Sequence, residues 1–458
     1  MAVYYDITTS LNWAASPVGI IRVERELGKR FYHDPELLVQ FCIYSKTHKA
    51  FLEVERSVAL QILEGKLNRK MLEESLPKPS LSQFSFAQEI YKPFARYAHV
   101  MLKETDHRKA ALTFEDLKKM FDGEMLNWKE PTIFDGFSEI KLTKHDVVIS
   151  GGLDWEYKEL VEINKAKSTI GFSYIAILYD LIPILYPQFV VPAYTELLAG
   201  YFGELFWTAD GLICISETTK NDAIAYCEKW RLNPPSLSVF SLGSDFGGKV
   251  PLKGPSTHLE GILKKIGNRR FGLYVSTLEP RKNHRILLLA LWSELASGAL
   301  DGDECALVFV GKRGWNIFEF LFEVEHNPIV ADSIIFAEDL SDEDLLLLYK
   351  AAHFALFPSY YEGYGLGLAE ALREGKHVIA SDAPALIEVS AGKALHLDPN
   401  DTRAWRAALY EAFNMKESQI TIEPGGFGAT WDQSYDEFKC GLRMAAGDKI
   451  ARNEAAAS

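Results

Sequence analysis

Cysteine is scarce and unpatterned in this 458-residue chain: Cys42, Cys214, Cys227, Cys305 and Cys440 are odd in number, widely spaced and nowhere form C-x-x-C. Neither a disulfide framework nor a zinc knuckle is encoded by such spacing, and a reducing cytoplasm is the expected home. Also missing is an uninterrupted apolar run of the roughly 18 residues that a spanning helix needs. The most apolar stretch, 170–194, is broken by Asp180, Pro183, Pro187 and Pro192. The opening MAVYYDITTS lacks a basic n-region, an apolar h-region and a cleavage site, so no secretion is expected. Positive charge is in deficit, with 49 Lys and Arg against 63 Asp and Glu and a net charge of −14. That balance argues against a dedicated nucleic-acid binder, which would carry a net basic footprint. Peripheral contact with a membrane stays open.

What is present is the composition of an ordinary globular protein, 48% hydrophobic and 24% charged. Its length suits two or three domains, each able to bury a core. Short apolar runs bounded by Gly, Pro, Asp or Ser recur in two series. The first holds VYYDI, VQFCIYS, HDVVISGG, SYIAILYD, GLICIS and LSVFSLG; the second holds FGLYVST, CALVFVG, SIIFAE, FALFPS, HVIAS and ALHLDP. Most gaps leave room for a crossover helix, which is the pattern of a doubly wound parallel sheet. The fold class is therefore α/β, with two Rossmann-like domains facing across a cleft. We place the first at 1–250, interrupted by a helical insertion at about 50–140, and the second at 251–424, with 247–258 as linker. Residues 425–458 read as a helix crossing back to the first domain and a frayed tail.

In open α/β sheets ligands bind outside the carboxyl ends of the strands. After FGLYVST the segment LEPRKNHRILLLALW starts a helix with Pro280 near its first position and Arg281, Lys282, His284 and Arg285 in its first turn. A helix N-terminus carries about half a positive charge, so cations there repel the dipole unless an anion is bound. A diphosphate accounts for the arrangement; solvated surface charge is the plain alternative. After FALFPS, Gly363, Gly365 and Gly367 form a loop that opens into a helix, with Glu362 before it and Glu370 in the helix's first turns. Such glycines allow close backbone approach to phosphate, and the two carboxylates can accept hydrogen bonds from sugar hydroxyls. Glu370 alone is also explained by the dipole; Glu362, in the loop, is explained less well.

TLEPRKN, the Glu362 to Glu370 pair in EGYGLGLAE and the following GKHVIASDAPALIEV together resemble the donor half of retaining GT-B glycosyltransferases of family 4, the glycosyl transferases group 1. SPVGIIRVEREL, LYDLIPILYP, GLICISETTKNDAI, SLGSDF and FAEDLSDEDLLLLY follow the same family in order. The resemblance implies that Arg281 and Lys282 neutralise a donor diphosphate, that Glu370 holds the nucleotide ribose and that Glu362 faces the transferred sugar. It puts the amides of Tyr364, Gly365 and Leu366, after Gly363, along the phosphates or the sugar, and Ser276, Thr277 and Gly311 along the nucleotide cleft. In the first domain it brings Gly19 to the diphosphate, sets Arg22 behind it on the acceptor side and turns Asp180 toward the acceptor. Tyr179 stands where the family often has His, and Gly367 where Pro is common.

The expected reaction is metal-independent, retaining transfer of a hexose, mannose as a guess, from a GDP- or UDP-linked donor to a glycan or lipid-linked glycan in polysaccharide or lipopolysaccharide assembly. No cofactor is expected. Asp301-Gly302-Asp303 has the D-x-D form of a metal site but precedes a strand and reads as a turn. Ser341 and Asp344 read as a helix cap. Trp155 offers either a stacking face to an acceptor sugar or a core residue. The helix spanning 18–32 sets Ile20, Val23, Leu27 and Phe31 on one face and Arg22, Arg25, Lys29 and Arg30 elsewhere, as a solvated face or a patch for an anionic lipid or acceptor. The competing readings are a nucleotide-sugar epimerase or sugar phosphorylase of the same fold, and a non-catalytic sugar-binding scaffold.

Overall fold

A computed structural model of the chain describes residues 2–15, 19–75, 133–246, 254–416, 423, 425–447 and 449. Both series of apolar runs form sheets. The first comprises β1 (Val3–Asp6), β2 (Gln40–Ser45), β3 (Ala50–Val54), β4 (Val147–Ser150), β5 (Ser173–Leu178), β6 (Gly211–Cys214) and β7 (Ser236–Val239), in the order β3-β2-β1-β4-β5-β6-β7. The second comprises β8 (Arg270–Val275), β9 (Cys305–Val310), β10 (Ile334–Ala337), β11 (Phe354–Phe357), β12 (His377–Ser381) and β13 (Leu395–Leu397), in the order β10-β9-β8-β11-β12-β13. Every pairing is parallel except β2 with β3. The protein is therefore α/β with two doubly wound sheets.

Strand composition follows from burial. A parallel strand covered on both faces can be apolar throughout, and CALVFV of β9 is buried at every position. In each sheet the winding reverses beside the first strand, between β1 and β4 and between β8 and β11. Reversal parts the neighbouring loops and leaves a crevice at the carboxyl ends.

Strand β3 corrects the start of the expected insertion. Ala50–Val54 returns antiparallel to β2 after a turn at 46–49, with Phe51, Leu52 and Val54 buried and Glu53 exposed. A short hairpin needs no crossover helix, so it breaks the strand–helix rhythm on which the expectation rests. A small unit spans 68–138; its described part holds the helix Arg69–Ser75 and a turn at Ile133–Gly136, with Arg69 over the Phe134 ring at 5.8 Å. The rest of the insertion, 76–132, lies outside the described residues, as do 247–253 of the linker and the tail beyond 449.

Four helices position the site and join the two sheets: α1 (Ile20–His33), α2 (His284–Ala296), α3 (Leu366–Arg373) and α4 (Trp431–Ala446). Helix α4 starts with a capping box, Thr430 and Gln433 each bonding the other's backbone, and packs on β6, β7 and α1 of the first sheet. Trp431 fits against Gly243, where any Cβ would collide with the indole, and Phe438 meets Phe240 edge-on at 5.1 Å. Cations expected as a face of α1 are otherwise engaged: Arg22 and Arg25 are buried, and Lys29 and Arg30 pair with Glu26 at 2.8 Å. A lipid-binding patch on this helix is not supported, because burial and pairing leave it little free charge.

Candidate active site

Strands β8 and β11 flank the reversal in the second sheet, and the loops after them carry the predicted donor residues. The chain leaves β8 through Ser276 and Thr277 and makes a short 3-10 turn at Pro280–Lys282; α2 begins only at His284, after Asn283 in the left-handed region. Arg281 and Lys282 thus precede the helix, and only His284 and Arg285 sit in its first turn. Only two of the four face the site. Arg285 is exposed and pairs with Glu323 at 2.6 Å, while His284 is buried against the Tyr274 ring at 4.6 Å. Burial, helped by Lys282, pulls the His284 imidazole down to about 3 and keeps it neutral.

Arg281 and Lys282 converge on Glu362 from the β11 loop, with Arg281 Nη1 at 2.8 Å from Oε2 and Lys282 Nζ at 2.6 Å from Oε1. Arg281 also donates to Glu279 at 2.5 Å and to the Tyr361 carbonyl at 2.6 Å. The three side chains are only 15%, 15% and 12% exposed, so the ion pairs are largely desolvated. Burial pushes the Glu362 carboxyl up, but Lys282 and Arg281 outweigh it and hold the group at about 2. Burial likewise opposes charge on Arg281, and Glu362, Glu279 and Asp180 more than reverse it.

Backbone geometry explains the glycines. Gly365 caps α3 with φ 103°, in the left-handed region, and leads into Leu366 as the first helical residue. The first amides of any helix lack intrahelical partners and face outward from its start. At Gly311, φ 151° after β9, a Cβ would strike the Ser276 carbonyl, so the two loops lining the predicted nucleotide cleft touch through backbone alone. Gly363 presses on Tyr179 and Asp180 of the first-sheet side, and its carbonyl accepts from Ser216 Oγ at 2.6 Å. Tyr361 donates to Asp222 at 2.7 Å and Tyr364 to the Leu242 carbonyl at 3.1 Å. The β11 loop is thereby clamped to the opposite sheet's helices.

Glu370 lies inside α3, 4% exposed. Its oxygens accept from Arg22 Nη1 at 2.6 Å and from the Tyr349 hydroxyl at 3.1 Å. Burial raises this carboxyl, with Arg22 the main opposing influence. Arg22 also pairs with Asp342 and lies 5.5 Å from the centre of the Phe246 ring. Arg22, expected on the acceptor side, is thus bonded to Glu370 and Asp342 of the second sheet's helices. Two turns of sequence cannot reveal a partner 348 residues away. Gly19 caps α1 at φ 50° with open space around it, and 16–18 before it are outside the described residues.

Across from the cations, Asp180 lies two residues after β5 and accepts from the Ile182 amide at 3.0 Å. Burial raises its carboxyl, opposed first by Arg281. Asp180 and Arg281 line one pocket of about 170 Å³ together with Trp155, Pro183, Phe189, Tyr201 and Trp315. Trp155 Nε1 donates to Tyr194 Oη at 2.6 Å, and Trp315 Nε1 donates to the Phe189 carbonyl at 2.7 Å. Trp155 thus lines the pocket while its indole nitrogen is tied back. Such a space, smaller than the roughly 300 to 1,000 Å³ of drug-sized sites, suits one ring with an apolar face.

Sequence reasoning passed over Glu279, Asp342 and Trp315. Glu279 sits beside the basic run and was open to the same charge argument; Trp315, in a loop after β9, carried no pattern. Asp301-Gly302-Asp303 is a turn before β9, at the end of the sheet away from the site, with the Asp303 amide donating to Asp301 Oδ1 at 2.9 Å. Ser341 caps its helix through the Asp344 amide at 3.1 Å, as expected. Among the described residues, no group of three or more His, Cys, Asp or Glu is placed to hold a metal ion.

Comparison with known proteins agrees with this architecture. Residues 258–423 match the family described as glycosyl transferases group 1. The chain is 29% identical over 297 residues to the serotype-specific mannosyltransferase WbdA of Escherichia coli, covering 61% of this chain and 36% of that protein. It is 35% identical over 157 residues to the O-antigen chain mannosyltransferase RfbU of Salmonella typhimurium, covering 34% of this chain and 41% of that one. The chain thus spans less than half the length of these relatives. Among solved structures, Anabaena HepE in complex with UDP and glucose superposes with a TM-score of 0.56 at 13% identity, over 96% of this chain and 99% of that one. At that identity the likeness speaks for the fold, which is GT-B. The chain thus has the two-sheet GT-B fold, and its second-sheet segment from 258 to 423 resembles the glycosyl transferases group 1.

Proposed function

We propose that the protein is a metal-independent, retaining hexosyltransferase, moving mannose from a nucleoside diphosphate donor to a glycan or lipid-linked glycan. The observation that carries this reading is the convergence of Arg281, Lys282 and Glu362 at the ends of β8 and β11, opposite Asp180 just after β5. Two mannosyltransferases among the relatives, one of them named for the O-antigen chain, support the sugar and the setting. No described helix is long and apolar enough to cross a membrane. We place the protein in the cytoplasm, with peripheral contact at the inner face of the membrane when its acceptor is lipid-linked.

Transfer breaks the bond between the anomeric carbon and the diphosphate oxygen, with negative charge growing on the leaving group and positive charge on the sugar. Preorganised cations and amides aimed at the developing charge lower that barrier most. Arg281, Lys282 and the first amides of α3 serve the diphosphate. Glu370, held in place by Arg22 and Tyr349, accepts the ribose hydroxyls, and Glu362 accepts hydroxyls of the hexose. The acceptor ring rests against Trp155 and Trp315 with its hydroxyl turned toward Asp180. That hydroxyl attacks on the face the diphosphate leaves, its proton passing to the departing phosphate oxygen, so configuration is retained without a protein nucleophile.

Incubation with GDP-mannose, UDP-glucose and UDP-galactose, with and without glycan acceptors and in EDTA, tests the reading. Acceptor-dependent release of nucleoside diphosphate, with an axial anomeric product by NMR from an axial donor, is the expected result. Sugar interconversion without acceptor would indicate an epimerase, dependence on inorganic phosphate a phosphorylase, and absence of any nucleotide-induced thermal shift a scaffold.

A further inference from the structure

We infer that Glu362 is a resident anion seated where the donor diphosphate must bind, so that the enzyme grips the hexose only after a diphosphate has displaced it from Arg281 and Lys282. The inference rests on the glycosyl-transfer reading of the same site and concerns donor selection.

Charge within the cluster requires such an exchange. Two cations, Arg281 and Lys282, face three carboxylates, Glu279, Glu362 and Asp180. The site therefore offers an incoming anion no surplus positive charge. A sugar nucleotide brings two further negative charges, one on each phosphate, and the cations cannot satisfy both it and the carboxylates in so dry a place. One carboxylate has to leave.

Glu362 is the one built to do so. It spans both cations, one oxygen on each, at 2.8 and 2.6 Å, as a pair of phosphate oxygens would. Glu279 touches only Arg281 and is wedged before Pro280 at 5% exposure. Glu362 sits in the loop between β11 and α3, outside both ladder and helix, so its side chain can turn without unmaking secondary structure. Once released, the carboxylate has lost both cationic donors and keeps only the Ser359 hydroxyl, and hexose hydroxyls are the donors that can replace them within the proposed site. Diphosphate binding and sugar binding are thereby linked. A monophosphate, with one phosphorus, displaces Glu362 from one cation and leaves it on the other, so sugar 1-phosphates and free sugars are selected against.

Isothermal titration of the full chain with GDP, GMP and GDP-mannose, and with the uridine series, tests the exchange. Glu362→Gln is expected to bind the diphosphate about ten-fold or more tighter than the wild type, within the usual range of couplings between linked sites, with little gain for the monophosphate. The same variant is expected to lose the advantage that the sugar nucleotide holds over the bare diphosphate in the wild type, and to transfer slowly. Glu279→Gln removes the same charge without vacating Lys282, and is expected to keep that advantage; it also serves if Glu362→Gln fails to fold, as judged by its melting profile. Unchanged or weaker diphosphate binding by Glu362→Gln overturns the exchange while leaving glycosyl transfer intact. Equal loss of the sugar's advantage in both variants reduces the effect to net charge and overturns it as well. If wild type and variants alike bind no nucleotide, the functional reading itself fails.

Discussion

Glu24 and Glu362 are the same side chain in two shielded places, and they are driven in opposite directions. Glu362, between Arg281 and Lys282, is held at about 2 despite burial. Glu24, in α1 beneath the ends of β1 and β4, is pushed by burial to about 7. Its Oε1 accepts from the Ser10 amide at 2.7 Å and its Oε2 has no partner. Lys158, a cation that acts on Glu24 through space, is already committed to Asp6 at 2.5 Å and Asp154 at 2.7 Å. Loss of hydration is common to both positions. What separates them is whether a cation is left over to meet the carboxylate.

The sharpest way to break this comparison is to remove the cation from the donor side. Arg281→Met is expected to lower the initial rate of transfer by about 10² to 10³, the usual loss when one preorganised charge partner of a leaving group is deleted. Retention of the wild-type rate would separate the Glu362 environment from catalysis altogether.

Next in size is stability against pH. A carboxyl depressed in the folded state, as Glu362 is, contributes stability that is present above pH 4.5 and is lost as pH falls toward 2. A carboxyl raised in the folded state acts in reverse: the native protein binds the Glu24 proton more tightly, so stability falls as pH rises from 4.5 to about 7. Denaturant titrations of wild type and Glu24→Gln should therefore diverge across that window, by about 3 kcal/mol at full effect, with the variant the flatter of the two. Parallel curves would show that Glu24 titrates normally.

The smallest effects belong to the aromatic walls opposite the cations. Trp155→Ala and Trp315→Ala are each expected to raise the acceptor KM by about two- to ten-fold, the range of an aromatic contact, with the donor KM unchanged. A matching rise in donor KM would move the pocket from acceptor to donor.

That contrast also explains what the amino-acid sequence disclosed. The charged groups around Glu362 and Glu370 lie mostly in two contiguous segments, 279–282 and 361–370, placed by strands whose apolar runs are easy to see. Both sheets were legible for the same reason, since parallel strands buried on two faces leave little else to be. Strand β3 was not, because a hairpin return carries no crossover helix. The pocket beside Asp180 and Arg281 draws on Trp155, Phe189, Tyr201 and Trp315 from separate segments, and packing aromatics look alike whether they line a space or fill one. Arg22 was visible as a helical cation, but its attachment to Glu370 is made in three dimensions only.

Helix α4 has a mechanical consequence. The chain leaves the first sheet after β7, builds the second, and returns to lay Trp431–Ala446 across β6 and β7. The chain therefore connects the two sheets twice, and at the described ends of those connections the Ser244 amide donates to the Ala429 carbonyl at 2.9 Å. Two connections joined to one another restrain twisting or sliding of one sheet against the other more than a single linker would.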